Sequence, residues 1–332
     1  MAKWLRCIIL DYEEGGRRMK LSLVVPCYNE QENVHDFYSA CKNAFANKID
    51  DYEIVFINDG SRDNTWKELS LLREQNSDAR LKLINFSRNF GKEAAMYAGL
   101  QKANGDYVTI IDADLQQRPE LVVQMVEFLD ANPDYDEVAA YQSKRIEGKL
   151  TSSLKKSFYK LVNKMCEIDF QSGASDFRTF RHEVVDAILS MPEYHRFSKG
   201  IFSWVGFNTH YMPYVAEERN AGTTSWSMAK LFSYAFEGII AFSVFPLKIA
   251  TFVGTISSIA SIIYMIVVII QKLAFGINVP GYATLVVLLL LIGGIQLITI
   301  GIIGSYIARI YIQGKNRPIY IAKDYISYEK EE

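Results

Sequence analysis

The chain has almost no net charge: 36 Lys and Arg stand against 38 Asp and Glu in 332 residues. No bulk electrostatic field therefore draws it to nucleic acid. Cysteine is scarce as well. Cys7, Cys27, Cys41 and Cys166 show no close spacing, which argues against a structural zinc site and suits a reducing compartment. No Gly-x-Gly-x-x-Gly follows any strand-like run and no P-loop pattern occurs, so neither a dinucleotide-binding Rossmann domain nor a P-loop NTPase is supported. A secretory signal peptide is not expected, because Cys7-Ile8-Ile9-Leu10 is short and acidic residues follow it.

The most telling absence is local. No charged residue occurs from Ile249 to Ile270, and none from Leu273 to Ala308, although Gly276-Ile277-Asn278-Val279-Pro280-Gly281 interrupts the second stretch. A run of 22 apolar residues makes ~33 Å of helix, about the thickness of a bilayer core. Both stretches read as transmembrane helices, and buried core helices are the alternative. Lys248 precedes the pair and Arg309, Lys315, Arg317 and Lys323 follow it, whereas the connection carries Lys272 alone. Positive-inside bias then places both outer ends, and the large N-terminal part, in the cytoplasm. Five parts are expected: residues 1–18 as a leader outside the natural start at Met19, a catalytic domain over 19–226, a juxtamembrane helix over 227–247, a two-helix hairpin over 248–308, and a cytoplasmic tail over 309–332. In the juxtamembrane part, Leu231, Phe232, Phe236, Ile239, Ile240 and Phe242 make a broad apolar face, suited to core packing or to an interfacial helix.

From Lys20 onward strand-like and helix-like runs alternate. Strands are expected at Leu21–Pro26, Tyr52–Ile57, Leu81–Phe86 and Tyr107–Ile111, with helices over 33–47, 65–76 and 92–103 between them. Such β-α repeats imply a mainly parallel sheet covered on both faces, with ligands bound beyond the carboxyl ends of the strands. The polar punctuation falls at those ends: Cys27-Tyr28-Asn29-Glu30, Asn58-Asp59-Gly60-Ser61, Ser87-Arg88-Asn89-Phe90-Gly91-Lys92 and Asp112-Ala113-Asp114. Any one cluster, taken singly, reads better as a turn and helix cap. Four at successive strand ends are harder to explain as unrelated turns. In Asp112-Ala113-Asp114 two carboxylates at i and i+2 can face one hard cation, which prefers oxygen ligands and keeps substrate phosphate in its shell. That points to nucleotide-sugar chemistry.

Val25-Pro26-Cys27-Tyr28-Asn29-Glu30, Asn58 to Thr65, Asp112-Ala113-Asp114-Leu115-Gln116 and the two-helix C-terminus together resemble the inverting family 2 glycosyltransferases. Within these the chain is similar to the branch that loads a sugar onto a polyprenyl phosphate, which includes dolichyl-phosphate mannose synthase and bacterial undecaprenyl-phosphate glucosyl and N-acetylglucosaminyl transferases. The resemblance covers about Met19 to Lys323. It implies an α/β GT-A nucleotide-sugar-binding fold in which Pro26, Tyr28, Glu30 and Asp59 hold base and ribose, and Arg88 and Lys92 lie near the diphosphate. It also implies that Asp112, Asp114 and Gln116 serve Mg²⁺ or Mn²⁺, and it suggests homo-oligomers. The chain departs from the family at Gln117-Arg118-Pro119 and at Gly222-Thr223-Thr224-Ser225, where a cationic lid contact is missing and Arg219 is left as the cation.

The acceptor half is read from chemistry. A phosphate monoester has its second pKa near ~6 and is largely anionic at neutral pH, so the enzyme needs cations to position it more than a strong base. Arg145, Lys155 and Lys156, with Lys144 beside them, and Arg178 are the candidates; each is equally a residue of a solvated face. Asp176 orients a cation or acts as base, and orientation is favoured. The expected activity is transfer of glucose or N-acetylglucosamine from its UDP donor to polyprenyl phosphate. The alternatives are a processive polysaccharide synthase, whose Gln-x-x-Arg-Trp motif is missing, and a non-catalytic membrane scaffold.

Overall fold

The computed structural model describes residues 20–77, 79–142, 174–215, 240–275 and 281–328. The expected leader, the juxtamembrane segment up to Ile239, and Arg145, Lys155, Lys156 and Arg219 lie outside the described residues. In chain order the elements are β1 (Leu21–Cys27), α1 (Val34–Phe45), β2 (Tyr52–Asn58), α2 (Thr65–Gln75), β3 (Leu81–Phe86), α3 (Lys92–Lys102), β4 (Tyr107–Ile110), α4 (Pro119–Ala131), β5 (Glu137–Gln142) and β6 (Ala174–Arg181). They continue with α5 (His182–Leu189), α6 (Ser198–Trp204), β7 (Thr209–Tyr214), α7 (Phe245–Phe275), α8 (Tyr282–Gly314) and β8 (Ala322–Ile326).

β1 to β4 are apolar on both faces because helices cover both. Leu21, Leu23 and Val25 point to one side, against Phe37 and Phe45 of α1 and Val122 and Met125 of α4. Val24 points to the other, with Val55 and Ile57 of β2, against Ala95 and Ala98 of α3. This period of two lets one continuous apolar run serve two cores. The eight strands form one sheet in the order β7-β5-β6-β4-β1-β2-β3-β8. The four strands expected from the sequence are its parallel centre. β6 enters between β4 and β5 and runs antiparallel to both. Its register sets Ile110 opposite Arg178, which carries Asp176 past the end of β4 toward Asp112.

β8 was not expected. It pairs antiparallel with β3 after both long helices have passed, so the end of the chain completes the sheet edge. Asn85 Nδ2 donates to Asp324 Oδ2 at 2.7 Å, Tyr320 stacks on Phe86 with ring centroids 4.8 Å apart, and the Tyr328 hydroxyl donates to Glu53 at 2.9 Å.

α7 and α8 have 31 and 33 residues and pack against each other. In the most apolar stretch of each, no residue is buried by the rest of the protein. A helix apolar all round and uncovered is not a soluble core helix; its length and composition fit a membrane crossing. α7 takes in Leu273 to Phe275 and α8 begins at Tyr282; the break expected from Gly276 lies, up to Pro280, outside the described residues. At its other end Ser243 and Val244 are non-helical and α7 starts at Phe245.

Candidate active site

The loops at the carboxyl ends of β1 and β2 are laced to each other. Asn29, at φ +57°, donates its N–H to Ser61 Oγ at 3.0 Å and accepts from Arg62 N at 2.9 Å. Glu30 N donates to Thr65 Oγ1 at 2.8 Å. Gly60 is required where it stands: its φ is +61°, and a Cβ there would lie 2.3 Å from the Arg88 carbonyl carbon. That close approach brings in the third loop. Asp59, only 4 % exposed, accepts from Phe90 N at 2.7 Å and from Gly91 N at 3.1 Å. Burial pushes its carboxyl up, against the opposing pull of these two backbone bonds. Asp59 thus clamps the turn that leads into α3 and its first residue, Lys92.

The fourth loop follows β4. Leu115 adopts φ +59°, rare for a residue with a side chain and common where function constrains the backbone. The turn lets Gln116 N donate to Asp114 Oδ1 at 3.2 Å. It also folds Gln117 back under the loop, where its Oε1 accepts from Asp112 N at 3.1 Å and its Nε2 reaches Asp112 Oδ2 at 3.4 Å. Gln117 is buried and fixes the direction of Asp112, a role its sequence position did not reveal.

Pro26, Tyr28, Glu30, Asp59, Asn89, Lys92, Asp112 and Asp114 line one cleft of about 300 Å³. Of the candidate nucleotide-sugar residues, Arg88 stands apart and lines the neighbouring cavity. Lys92 is the centre of charge: its Nζ lies 2.6 Å from Asp112 Oδ1 and 3.5 Å from Asp176 Oδ2. Burial works against its charge, but the two carboxylates outweigh that and raise its pKa. Asp176 is pushed up by burial and pulled further down by Lys92, Lys199 and Arg178, so it stays below the ordinary carboxylate range. An aspartate so depressed is a poor base at neutral pH and a good anchor for a cation.

Arg178 is not available to an acceptor phosphate. It is 2 % exposed, and its Nη1 donates to Glu137 Oε1 at 2.9 Å beneath the sheet. Depth along β6 explains the difference: the two share a face of the strand, but Arg178 pairs opposite Ile110 inside the sheet while Asp176 lies beyond the end of β4. Among the described residues no group of three or more His, Cys, Asp and Glu gathers to hold a metal. Asp112 and Asp114, all-oxygen donors lining an open cleft, fit a hard cation that takes its remaining ligands from a bound diphosphate.

The Glycosyl transferase family 2 profile matches residues 22–189. Glycosyltransferase CsbB of Bacillus subtilis is 40 % identical over 304 residues, 92 % of this chain and 91 % of its own. The SfII prophage-derived bactoprenol glucosyl transferase of Shigella flexneri is 44 % identical over 306 residues, covering 92 % and 98 %. Among solved structures, the mannosyltransferase PcManGT of Pyrobaculum calidifontis superposes with a TM-score of 0.47 and 16 % identity, over 95 % of this chain and 93 % of that one. The fold and these sequence matches define a glycosyltransferase with a GT-A-like α/β domain followed by two apolar helices. The chain belongs to glycosyl transferase family 2.

Proposed function

We propose that the protein moves glucose or N-acetylglucosamine from a UDP-sugar to polyprenyl phosphate, with inversion, on the cytoplasmic face of the membrane. The observation that carries this reading is the position of Lys92 between Asp112 and Asp176, with two helices fit for a bilayer on the same chain. The name of the Shigella flexneri relative, a bactoprenol glucosyl transferase, supports a polyprenyl acceptor. Pro26, Tyr28 and Glu30 would take base and ribose. Asp59 would serve chiefly by holding the Phe90-Gly91 turn. Asp112 and Asp114, with Gln116, would hold Mg²⁺ or Mn²⁺, which when bound neutralises the departing diphosphate. Asp176 would hold Lys92 charged and aimed at the reacting centre. Arg145, Lys155, Lys156 and Arg219 remain candidates for further phosphate contacts.

Transfer is tested by incubating membranes that contain the protein with labelled UDP-glucose, UDP-N-acetylglucosamine and GDP-mannose, together with undecaprenyl phosphate. The expected product is a single sugar joined to the lipid phosphate, read by mass spectrometry. A polymer would instead indicate a processive synthase, and free sugar with no lipid product would refute the reading.

A further inference from the structure

Beside the cleft lies a second cavity of about 520 Å³, which shares Asn89, Gly91 and Lys92 with it. Its far wall is the segment from Tyr194 to Lys199. Among the described residues four cations line it, Arg88, Lys92, Arg196 and Lys199, against two carboxylates, Glu93 and Asp176. None of Arg88, Arg196 and Lys199 lines the donor cleft.

The far wall is built to hold its shape. Glu93 accepts from Ser198 N at 3.0 Å and from the Ser198 hydroxyl, which fixes the start of α6 and hence Lys199. Arg196 is 8 % exposed; its guanidinium lies 4.5 Å from the Tyr97 ring centre, and its Nη1 donates to Met191 O at 2.6 Å. Its Nε is buried with no hydrogen-bond partner, which is costly unless something else compensates. The wall is also tied to the second long helix: Tyr194 N donates to Gln313 Oε1 at 2.8 Å, and Gln313 Nε2 donates to Pro192 O at 3.1 Å. Ile319, just beyond that helix, closes the same cavity.

We propose that this cavity receives the phosphate monoester of the lipid acceptor, with Lys199 and Arg88 as its phosphate-binding cations and Arg196 as a positioning residue behind them. The assignment rests on the transfer reaction proposed above and adds the residues that hold its second substrate. An excess of positive lining suits an anion. The cavity meets the donor cleft at Lys92, so an anion in it approaches from the Asp176 side while the diphosphate departs on the Asp112 side, the opposed arrangement that inversion requires. Its tether to the end of α8 puts a headgroup here within reach of a tail that stays in the bilayer. In the step, a lone pair of the acceptor phosphate oxygen forms the bond to the anomeric carbon. The bond from that carbon to the diphosphate oxygen breaks, and its electron pair leaves on the nucleoside diphosphate. No proton need be removed, because the monoester is already largely ionised at neutral pH.

The test uses full-length protein in detergent micelles and compares wild type with Lys199→Met, Lys199→Arg and Arg88→Gln. Calorimetry measures binding of farnesyl phosphate, inorganic phosphate and UDP-glucose with Mn²⁺; an assay measures KM for undecaprenyl phosphate. Loss of a charge-assisted phosphate bond corresponds to about 10- to 150-fold. Lys199→Met and Arg88→Gln should weaken farnesyl phosphate and raise the lipid KM on that scale, with UDP-glucose affinity within about twofold of wild type, and Lys199→Arg should restore much of the loss. If both neutral variants lose UDP-glucose instead, the cavity belongs to the donor and the proposal fails. It fails also if farnesyl phosphate affinity is unchanged, or if inorganic phosphate binds wild type as tightly as the prenyl ester does. Wild type that binds farnesyl phosphate through Lys199 but transfers no sugar would refute the proposed function and leave the phosphate subsite standing.

Discussion

At the scale of single residues, Asp114 and Arg178 separate chemistry from support. Asp114 sits at the mouth of the cleft, with its Oδ1 held by Gln116 N. Asp114→Asn keeps the shape and removes one negative ligand from the proposed hard-cation site. It should abolish transfer and remove the Mn²⁺-dependent part of UDP-sugar binding, measured by calorimetry, with Tm nearly unchanged. Arg178→Ala should do the reverse of a binding mutation. It leaves Glu137 buried without its guanidinium partner, a loss of about 3–5 kcal/mol for a broken buried ion pair. A large fall in Tm in thermal unfolding is expected, with no selective rise in KM for the lipid acceptor. Glu93 supplies a pH dependence. Burial pushes its carboxyl from 4.5 up to about 7, the Ser198 bonds and Arg196 pulling down and Asp176 pushing up. The folded protein therefore binds this proton more tightly than the unfolded chain. The stability it contributes is complete below about pH 4.5 and is lost as pH rises through about 7. Glu93→Gln, which cannot ionise, should flatten that part of a Tm-against-pH curve.

At the scale of elements, what could be read from the chain and what could not divide on a physical line. β1 to β4 announce themselves because each is a short apolar run closed by polar residues, and the helices between them have the apolar spacing of a covered sheet. The observed β1, β2, β3 and β4 differ from the expected limits by at most one residue. Their loops bring Asp59, Lys92, Asp112 and Asp114 to one cleft for the same reason: parallel strands all present the same end. β6 and β8 escaped because their identity is set by partners far along the chain. Ala-Ser-Asp-Phe-Arg-Thr-Phe-Arg carries charge at inward positions, tolerable only because Glu137 waits on the neighbouring strand. Ala-Lys-Asp-Tyr-Ile has five residues, none of them buried, and it becomes a strand through the free edge of β3. The cavity wall at Tyr194 to Lys199 was invisible for a like reason, since Arg196 and Lys199 acquire meaning from Asp176 and from Tyr97 and Glu93, the last two about a hundred residues earlier.

At the scale of the whole molecule, the catalytic sheet and the helix pair are one structure joined at both ends. The chain leaves the sheet after β7, passes through α7 and α8, and returns as β8. A protein ended after Lys248 would lose β8 and the Tyr328–Glu53 bond, leaving β3 as an open edge, the kind of surface that invites aggregation. It should be less stable and less soluble than a protein in which residues 249–314 are replaced by a short polar linker that keeps residues 315–328. Size-exclusion chromatography and Tm measurements compare the two. Equal behaviour would show that β8 contributes nothing to the edge.

This return path also orders events in time. Ribosomes deliver the chain from its N-terminus, so β1 to β7 are in hand well before the strand that closes their sheet. Between them stand two apolar helices whose length and composition fit a membrane crossing. With the proposed double crossing, β8 reaches β3 only when α8 has brought the chain back to the side of the sheet, so the sheet is finished last. If the pair crosses a bilayer as proposed, a chain in which only one of the two helices crossed would carry its final strand on the opposite side from β3 and could not complete its own fold.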